Sequence, residues 1–198
     1  MKYYQEVTLI EGDKRLYEIW SDVFNQIHIA LADIKNKHDT ESIGISFSNY
    51  RYEEKNGQTF ATLGDKLRLF APSQKDLETL NLDKWLTRLT DYVHIKGIKE
   101  VGNNATGYVS VHRYRFKPVD IQVKSLANKM GVSSEEAIAI VAKRKPELKL
   151  PFIRMYSESN KTHYPLQILQ QAIQEQVIGK FNVYGMNGMS NAVTVPQW

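Results

Sequence analysis

The sequence predicts an α+β protein in which strands and helices alternate over the first half and a smaller α+β region follows. Three observations support this class. Short β-forming runs alternate apolar and polar side chains, one long segment repeats its apolar residues at helical spacing, and a turn-forming segment, 102–107, follows the first set of elements. We therefore divide the chain into a domain of residues 1–102 and a domain of residues 103–198.

Composition narrows the functional classes. Apolar residues make up 42% and charged residues 24% of the 198 positions, as in ordinary globular proteins. No apolar run approaches the ~20 residues of a membrane span, and the polar N-terminus lacks a signal-peptide pattern. The absence of cysteine excludes disulfides, thiolate metal sites and cysteine nucleophiles and fits a reducing compartment. We expect a cytoplasmic protein with no membrane partner.

The basic surplus is confined to the middle of the chain. Residues 107–145 hold 8 basic and 3 acidic side chains, a net of +5, whereas residues 1–106 have a net charge of −2. Such segregation favours contact with a polyanion. A solvated lysine-rich helix face explains the charge equally well.

The first domain begins with a strand from Tyr3 to Ile10 and a long amphipathic helix. The apolar stripe of that helix predicts a buried face, and it consists of Leu16, Ile19, Trp20, Val23, Phe24, Ile27, Leu31 and Ile34. His28 lies just beyond the edge of the stripe, where an imidazole can be half-sheltered and still reach a ligand. For this residue alone, a structural histidine is the simpler interpretation.

The rest of the first domain completes a β-α-β-β-α-β order. Strands are predicted at Ile43–Phe47, near residues 66–71 and at 92–98, and Ser73 with Asp76 predicts a helix cap. Residues 51–62 are predicted to be a flexible loop with a turn at residues 56–57. This order is ferredoxin-like, as in RRM-type RNA-binding sheets. However, strands one and three lack the base-stacking aromatics of those sheets, so any RNA should bind elsewhere.

The second domain begins with alternating cations and aromatic residues from Tyr108 to Lys117. Arg113 and Arg115 are two positions apart, which places them on one side of an extended chain. Arginine pairs can bind guanine edges or phosphates, but charges on an exposed edge strand also prevent aggregation. One helix is predicted from Val119 to Met130, and a second, after the capping pair Ser133 and Glu136, runs through Ile140 and ends in the basic residues 143–145.

A hydroxyl-rich loop is predicted between two strands of the second domain. Residues 152–156 and 164–173 have strand-like sequences, whereas residues 157–163 contain no apolar side chain. Loops held by a rigid scaffold often carry functional groups, although an ordinary solvated hairpin is the simpler interpretation. A last strand is predicted at Phe181–Tyr184, followed by Gly185–Gly188, which is more typical of a turn than of a phosphate-binding loop.

The sequence lacks the motifs of several kinds of catalysis, so few reaction types remain. The five histidines are scattered without ligand spacing, which predicts no metal site, and no nucleotide-binding fingerprint indicates a cofactor. No Gly-x-Ser-x-Gly elbow is present, which leaves an acyl-transfer triad without its usual motif. Acid–base catalysis by a histidine with hydroxyl partners remains. RNA is a suitable substrate because its 2′-hydroxyl is an internal nucleophile.

The sequence resembles the CRISPR repeat-RNA endoribonucleases of the I-F subtype. The resemblance runs, with gaps, over nearly the whole chain, and its specificity comes from the order and spacing of several short motifs. Those motifs are Val23–Leu31, Ile43–Phe47, Leu63–Leu69, Ser134–Ala137, Leu150–Ile153, Ser157-x-Ser159 with His163-Tyr164, and Phe181-x-x-Tyr184-Gly185 ahead of Val195-Pro196.

The resemblance implies metal-independent cleavage of precursor RNA at the 3′ base of a repeat hairpin. The products would be a 2′,3′-cyclic phosphate and a 5′-hydroxyl, formed without a cofactor. By position, His28 would be the general acid/base, Ser157 would orient the 2′-hydroxyl and Tyr184 would position the histidine. Tyr164 would stack on the terminal base pair, in place of the phenylalanine that is usual in the family.

The resemblance also implies a set of RNA-binding residues and a basic helix in the second domain. In this sequence the set comprises Arg113, Arg115, Lys117, Lys124, Ser125, Asn128, Lys129, Ser159 and Tyr164. The family's helix is dense in arginine, so the matching residues here predict fewer phosphate contacts and a shallower salt dependence. Arg115 replaces a glutamine, which predicts a change in the base pair that is read.

Two functions therefore follow from the resemblance. The first is an endoribonuclease that keeps its product hairpin as a subunit of a type I-F effector complex. The alternative is a non-catalytic subunit that only binds the repeat stem-loop and anchors guide RNA. A ferredoxin-like metabolic enzyme or regulator is a third interpretation, and no small-molecule motif supports it.

Overall fold

The computed structural model describes residues 1–116, 119–143, 148–157 and 160–198. It confirms the α+β class, with antiparallel pairing in its sheets. The described chain forms two compact units, Met1–Tyr114 together with Leu150–Trp198, and Arg115–Lys149. The predicted boundary between residues 102 and 103 lies within the first unit and stays a prediction.

The first sheet has the strand order expected for a split βαβ arrangement. The elements up to residue 100 are β1 (Tyr3–Leu9), α1 (Leu16–His38), β2 (Gly44–Phe47), β3 (Arg51–Lys55), β4 (Gln58–Thr62), β5 (Lys66–Ala71), α2 (Gln74–Leu80), α3 (Leu82–Trp85), β6 (Val93–Ile95) and β7 (Lys99–Glu100). The order is β2-β5-β1-β6, and β7 pairs with β1. Strand β5 therefore lies between the two strands that α1 connects, as in ferredoxin-like folds.

The expectation of a loop at residues 51–62 is wrong. Strands β3 and β4 pair with each other in a two-stranded hairpin. Its turn has positive φ at Asn56 (54°) and Gly57 (75°), the backbone that a two-residue type I′ turn requires. The turn prediction is confirmed. The strands were missed because both faces of this hairpin are polar and largely exposed.

Helix α1 places the predicted stripe in the core. Its buried residues are Ile19, Trp20, Val23, Phe24, Ile27, Ala30, Leu31 and Ile34. These side chains belong to a core that also contains apolar residues of the second sheet, including Ile153 and Met155. Burial of this face fixes the orientation of α1, and with it the position of the half-buried residue His28 at the border.

The second sheet contains both ends of the hydroxyl-rich segment, because Ser157, Thr162 and His163 lie in strands and not in the predicted loop. Its strands are β8 (Gly107–Tyr114), β9 (Phe152–Ser157), β10 (Thr162–Ile173) and β11 (Thr194–Gln197), in the order β11-β8-β10-β9. Along β9, Ile153 and Met155 are buried whereas Phe152, Arg154 and Tyr156 are exposed. One face of this sheet therefore covers the core, and the opposite face of β9 meets solvent.

The predicted strand at residues 181–184 is wrong. Residues 182–186 form a turn instead, in which Gly185 N–H donates to the Asn182 carbonyl at 2.8 Å. The Asn182 side chain also accepts the Tyr184 N–H at 2.8 Å. Phe181 and Tyr184, whose side chains suggested a strand, are buried although this backbone is not a strand.

The second unit contains the two predicted helices, α4 (Val119–Met130) and α5 (Ser134–Ala142). Gly131, with φ 64°, ends α4, and Ser133 and Glu136 form the predicted capping box of α5. Across the described ranges, no helix has the length and apolar character needed to cross a membrane.

Candidate active site

The imidazole of His28 is held on two sides. Its Nδ1 lies 2.8 Å from the carbonyl oxygen of Val183, and its ring stacks on Tyr184 with 4.0 Å between centroids and 4° between planes. Because a carbonyl oxygen only accepts, Nδ1 must carry the proton in this bond. The neutral ring then has its lone pair on Nε2, which can take a proton from a substrate.

The surroundings of His28 favour its neutral form. Burial lowers the pKa of His28 below its ordinary value of 6.5, and the positive charge of Arg113 lowers the pKa further. The hydrogen bond to Val183 acts in the opposite direction and raises the pKa, but the burial effect is larger. His28 is therefore predominantly unprotonated at neutral pH.

The two residues that contact the imidazole of His28, Val183 and Tyr184, both lie in the turn at residues 182–186. Gly185 has φ 69°, and a Cβ at that position would lie 2.7 Å from a methyl group of Ile45. Only glycine fits this turn without strain. The following residues, Met186 and Asn187, are buried. This segment therefore acts as a structural turn, consistent with the interpretation favoured from the sequence over a phosphate-binding loop.

Tyr184 also connects His28 to the second sheet. Its hydroxyl lies 2.9 Å from the hydroxyl of Tyr164 on β10. The guanidinium carbon of Arg113, on β8, lies 4.5 Å from the centroid of the Tyr184 ring and 5.7 Å from that of Tyr164. The structure thus brings together four of the predicted residues, His28, Tyr184, Tyr164 and Arg113.

Ser157 faces the same side of the sheet as Tyr164. In the β9–β10 register, Ser157 pairs with Thr162 and Met155 pairs with Tyr164. Because alternate residues share a face, Ser157 lies on the face of the buried Met155, diagonally across from Tyr164. The neighbouring Tyr156 N–H lies 3.4 Å from the Asn25 side-chain oxygen, one helical turn before His28. Ser157 and the imidazole therefore share one region of the first unit.

The other predicted RNA-binding residues lie elsewhere or outside the described residues. Arg115 is exposed at the start of the second unit. Exposed α4 residues form an arc away from the buried Val123, and they are Lys124, Ser125, Asn128 and Lys129. Lys117 and Ser159 lie outside the described residues, so their predicted roles stay predictions.

The backbone carbonyl of Val183 was missed in the sequence. A carbonyl has no side-chain signal, but Asn182 followed three positions later by Gly185 is typical of a turn and could have been recognised as one. Within the described part of the chain, no group of three or more histidine, aspartate or glutamate side chains is arranged to hold a metal ion.

The comparison with protein families agrees with the resemblance noted in the sequence. The family model described as "CRISPR-associated protein (Cas_Csy4)" matches residues 4–198. No curated protein sequence matches the chain. Among solved structures, the chain is similar to "CRISPR associated protein Cas6", with 14% identity, a TM-score of 0.35 and coverage of 99% of this chain and 98% of that chain. It is also similar to "An RAMP protein binding different RNA substrates", with 10% identity, a TM-score of 0.35 and coverage of 99% of both chains.

Proposed function

The chain belongs to the CRISPR-associated Cas_Csy4 family, and from this premise we propose that it is an endoribonuclease that binds the stem-loop of CRISPR repeat RNA and processes the precursor transcript. Cleavage is at the 3′ base of the hairpin and needs no metal ion. The observation that carries the proposal is the neutral imidazole of His28, held by the Val183 carbonyl and the Tyr184 ring with Nε2 unprotonated.

The chemistry is an internal transesterification. Nε2 of His28 takes the proton of the ribose 2′-hydroxyl, the 2′-oxygen forms a bond to phosphorus, and the bond from phosphorus to the 5′-oxygen breaks. The leaving oxygen takes up a proton, which the imidazolium can return. The products are a 2′,3′-cyclic phosphate and a 5′-hydroxyl. Ser157 orients the 2′-hydroxyl, and Tyr184 holds the imidazole plane.

The exposed arc of α4 supplies electrostatic contacts to the hairpin. It carries two lysines among the four predicted contact residues, so few phosphates are neutralised there and the affinity depends only weakly on salt. Arg115 contributes to reading the stem, and Tyr164 stacks on its terminal pair. The enzyme then keeps the mature RNA as a subunit of a type I-F effector complex in the cytoplasm.

Replacement of His28 tests the proposal. His28→Ala should lower the single-turnover cleavage rate of the repeat hairpin about 10²–10⁴-fold, the usual contribution of a general base. Affinity for a hairpin with a 2′-deoxyribose at the cleavage position should change less than about tenfold, because the substitution removes no phosphate contact. The matched control is His38→Ala, an exposed histidine at the end of the same helix, which should cleave normally.

Two further readouts accompany this comparison. Cleavage should be unchanged in excess EDTA, and mass spectrometry should identify the cyclic phosphate. Undiminished cleavage by His28→Ala, or loss of wild-type cleavage in EDTA, contradicts the mechanism. Tight binding by the wild-type protein that leaves the labelled repeat intact instead identifies the non-catalytic subunit.

A further inference from the structure

The side chain of Asn182 folds the backbone that contacts the imidazole of His28. Its Oδ1 accepts the N–H of Tyr184 at 2.8 Å and the N–H of Met186 at 3.4 Å. The bond to Tyr184, two residues along the chain, closes an Asx turn around Val183. The carbonyl and the ring that contact His28 therefore belong to residues whose backbone this one amide oxygen holds.

Asparagine serves at this position through its side-chain oxygen and not through its backbone. Asn182 does not have the positive φ that asparagine tolerates better than most residues. Its oxygen is needed because Tyr184 is buried, and a buried N–H without an acceptor costs free energy. A side chain without the oxygen would therefore cause the turn to rearrange until that N–H finds another acceptor.

The backbone on either side of the turn is anchored independently. The Phe181 N–H donates to the Glu41 carbonyl at 2.9 Å, and the Asn187 N–H donates to the Val111 carbonyl at 2.7 Å. These bonds involve no atom of the Asn182 side chain. Loss of its oxygen should therefore disturb the residues between the two anchors and leave the rest of the fold intact.

The carbonyl of Val183 decides which nitrogen of His28 carries the proton. Neutral histidine in water favours the proton on Nε2, and the carbonyl 2.8 Å from Nδ1 reverses this preference because it can only accept. A proton on Nδ1 leaves the lone pair on Nε2, as a base requires. If the carbonyl moved away, Nε2 would carry the proton and could not remove one from a 2′-hydroxyl.

We propose that Asn182 is a positioning residue for RNA cleavage, whose amide oxygen holds the Val183 carbonyl against Nδ1 of His28 and so keeps Nε2 available as the base. This inference rests on the proposed endoribonuclease function and adds to it a residue that acts through the backbone. Asn182 was not among the site residues predicted from the sequence. An amide that only stabilised the turn would affect stability without affecting the tautomer of His28.

Nitrogen NMR of the imidazole tests this role without RNA. In protein with isotope-labelled histidine, the chemical shifts distinguish the protonated from the unprotonated ring nitrogen at a pH where His28 is neutral. Asn182→Thr and Asn182→Val give side chains of the same shape, but only threonine has an oxygen that can close the turn, although more weakly. The threonine variant should keep the proton on Nδ1. The valine variant should shift the ratio of the two tautomers toward Nε2–H about 2–10-fold, the effect of one lost hydrogen bond.

Single-turnover cleavage of the repeat hairpin gives the second readout. When Nε2 takes up a proton, the imidazolium of His28 donates a charge-assisted bond to the Val183 carbonyl, so Asn182→Val should lower the rate about 10–100-fold. Asn182→Thr should cleave at close to the wild-type rate. Neither variant removes a phosphate contact, so the affinity for a hairpin with a 2′-deoxyribose at the cleavage position should be unchanged.

Asn81→Ala controls for a loss of stability alone. The amide oxygen of Asn81 accepts the Lys84 N–H at 3.3 Å at the start of α3, so it also holds a backbone turn. This variant should unfold at a lower temperature than wild type but keep the nitrogen shifts of His28 and the cleavage rate.

The outcomes separate the inference from the proposed function. A folded valine variant that keeps the wild-type nitrogen shifts overturns the positioning role, whether or not the protein cleaves RNA. A changed tautomer with an unchanged rate overturns it too, as does an equal loss of rate in the threonine and valine variants. If Asn182→Val does not fold, Asn182→Ser and Asn182→Ala are a second pair that differs by one oxygen. Wild-type protein that neither binds nor cleaves the repeat hairpin instead overturns the proposed function.

Discussion

Replacing Tyr184 tests how the site controls the protonation of His28. Tyr184→Phe removes only the hydroxyl bond to Tyr164, which we expect to cost about 1 kcal/mol of unfolding free energy. Tyr184→Leu also removes the stack on His28, at about 0.5–1.5 kcal/mol, and the contact with Arg113, at about 0.5–1 kcal/mol. The leucine variant should therefore lose about 2–3.5 kcal/mol in total, the sum of these three contributions.

The two variants should differ more in the pKa of His28. Burial is the main cause of the lowered pKa, and the Tyr184 ring covers one face of the imidazole. Tyr184→Leu opens that face, so the pKa should rise toward the ordinary value of 6.5. Tyr184→Phe keeps the stack, and its pKa should stay close to that of the wild-type protein.

Imidazole NMR titration measures the pKa of His28 directly, and chemical denaturation measures the free energy. His28→Ala identifies the resonance of His28. If the leucine variant titrates at the wild-type pH although its stability has fallen, then the tyrosine ring does not desolvate His28, and the account of its lowered pKa is refuted.

The structure also predicts the effect of one substitution on stability and the effect of pH on the cleavage rate. Glu6→Gln should cost about 3–5 kcal/mol at neutral pH, because it leaves the guanidinium of Arg68 without its carboxylate partner at 2.8 Å. Burial raises the pKa of Glu6, but the hydrogen bonds from Lys96 and Arg68 outweigh this and lower it. Denaturation at several pH values should therefore show the full difference in unfolding free energy between wild type and variant above about pH 4.3. The difference should shrink as the pH falls through the lowered pKa of Glu6 in the folded protein. An equal difference at pH 7 and at pH 3 contradicts this. For catalysis at sub-saturating concentrations, where the rate reports the free enzyme, the lowered pKa of His28 predicts a rate that is level around neutrality and falls only below about pH 6.5. A pH–rate profile that rises as the pH falls through that range instead identifies His28 as the general acid.

The sequence predicts those elements whose signals are local. The apolar stripe of α1 and the serine caps at Ser73 and Ser133 involve residues within a few positions of each other, and all three features are found. Residues 51–62 lack a buried face, so only their turn carried a signal. At residues 181–184 the signal was misleading, because burial makes a turn as apolar as a strand.

The site was harder to predict because its contacts are long-range. The period of two along β9 places Ser157 on the face of Met155, but only the pairing of β9 with β10 brings Tyr164 to that face. The stack of Tyr184 on His28 joins residues 156 positions apart in sequence. The resemblance to a family indicated both residues, yet their contact depends on a backbone turn that no local pattern specifies.

The electrostatics of the site change when an anionic substrate enters it. Without RNA, the charge of Arg113 disfavours protonation of His28. An RNA phosphate that comes near both groups neutralises part of that charge and places a negative charge near the imidazole, which favours protonation. The pKa of His28 should then move upward, toward the pH at which the enzyme works, and a base with a higher pKa removes the 2′-proton more readily. The same arginine would therefore keep the free enzyme's histidine neutral and, through the phosphate, strengthen it as a base when the substrate is bound.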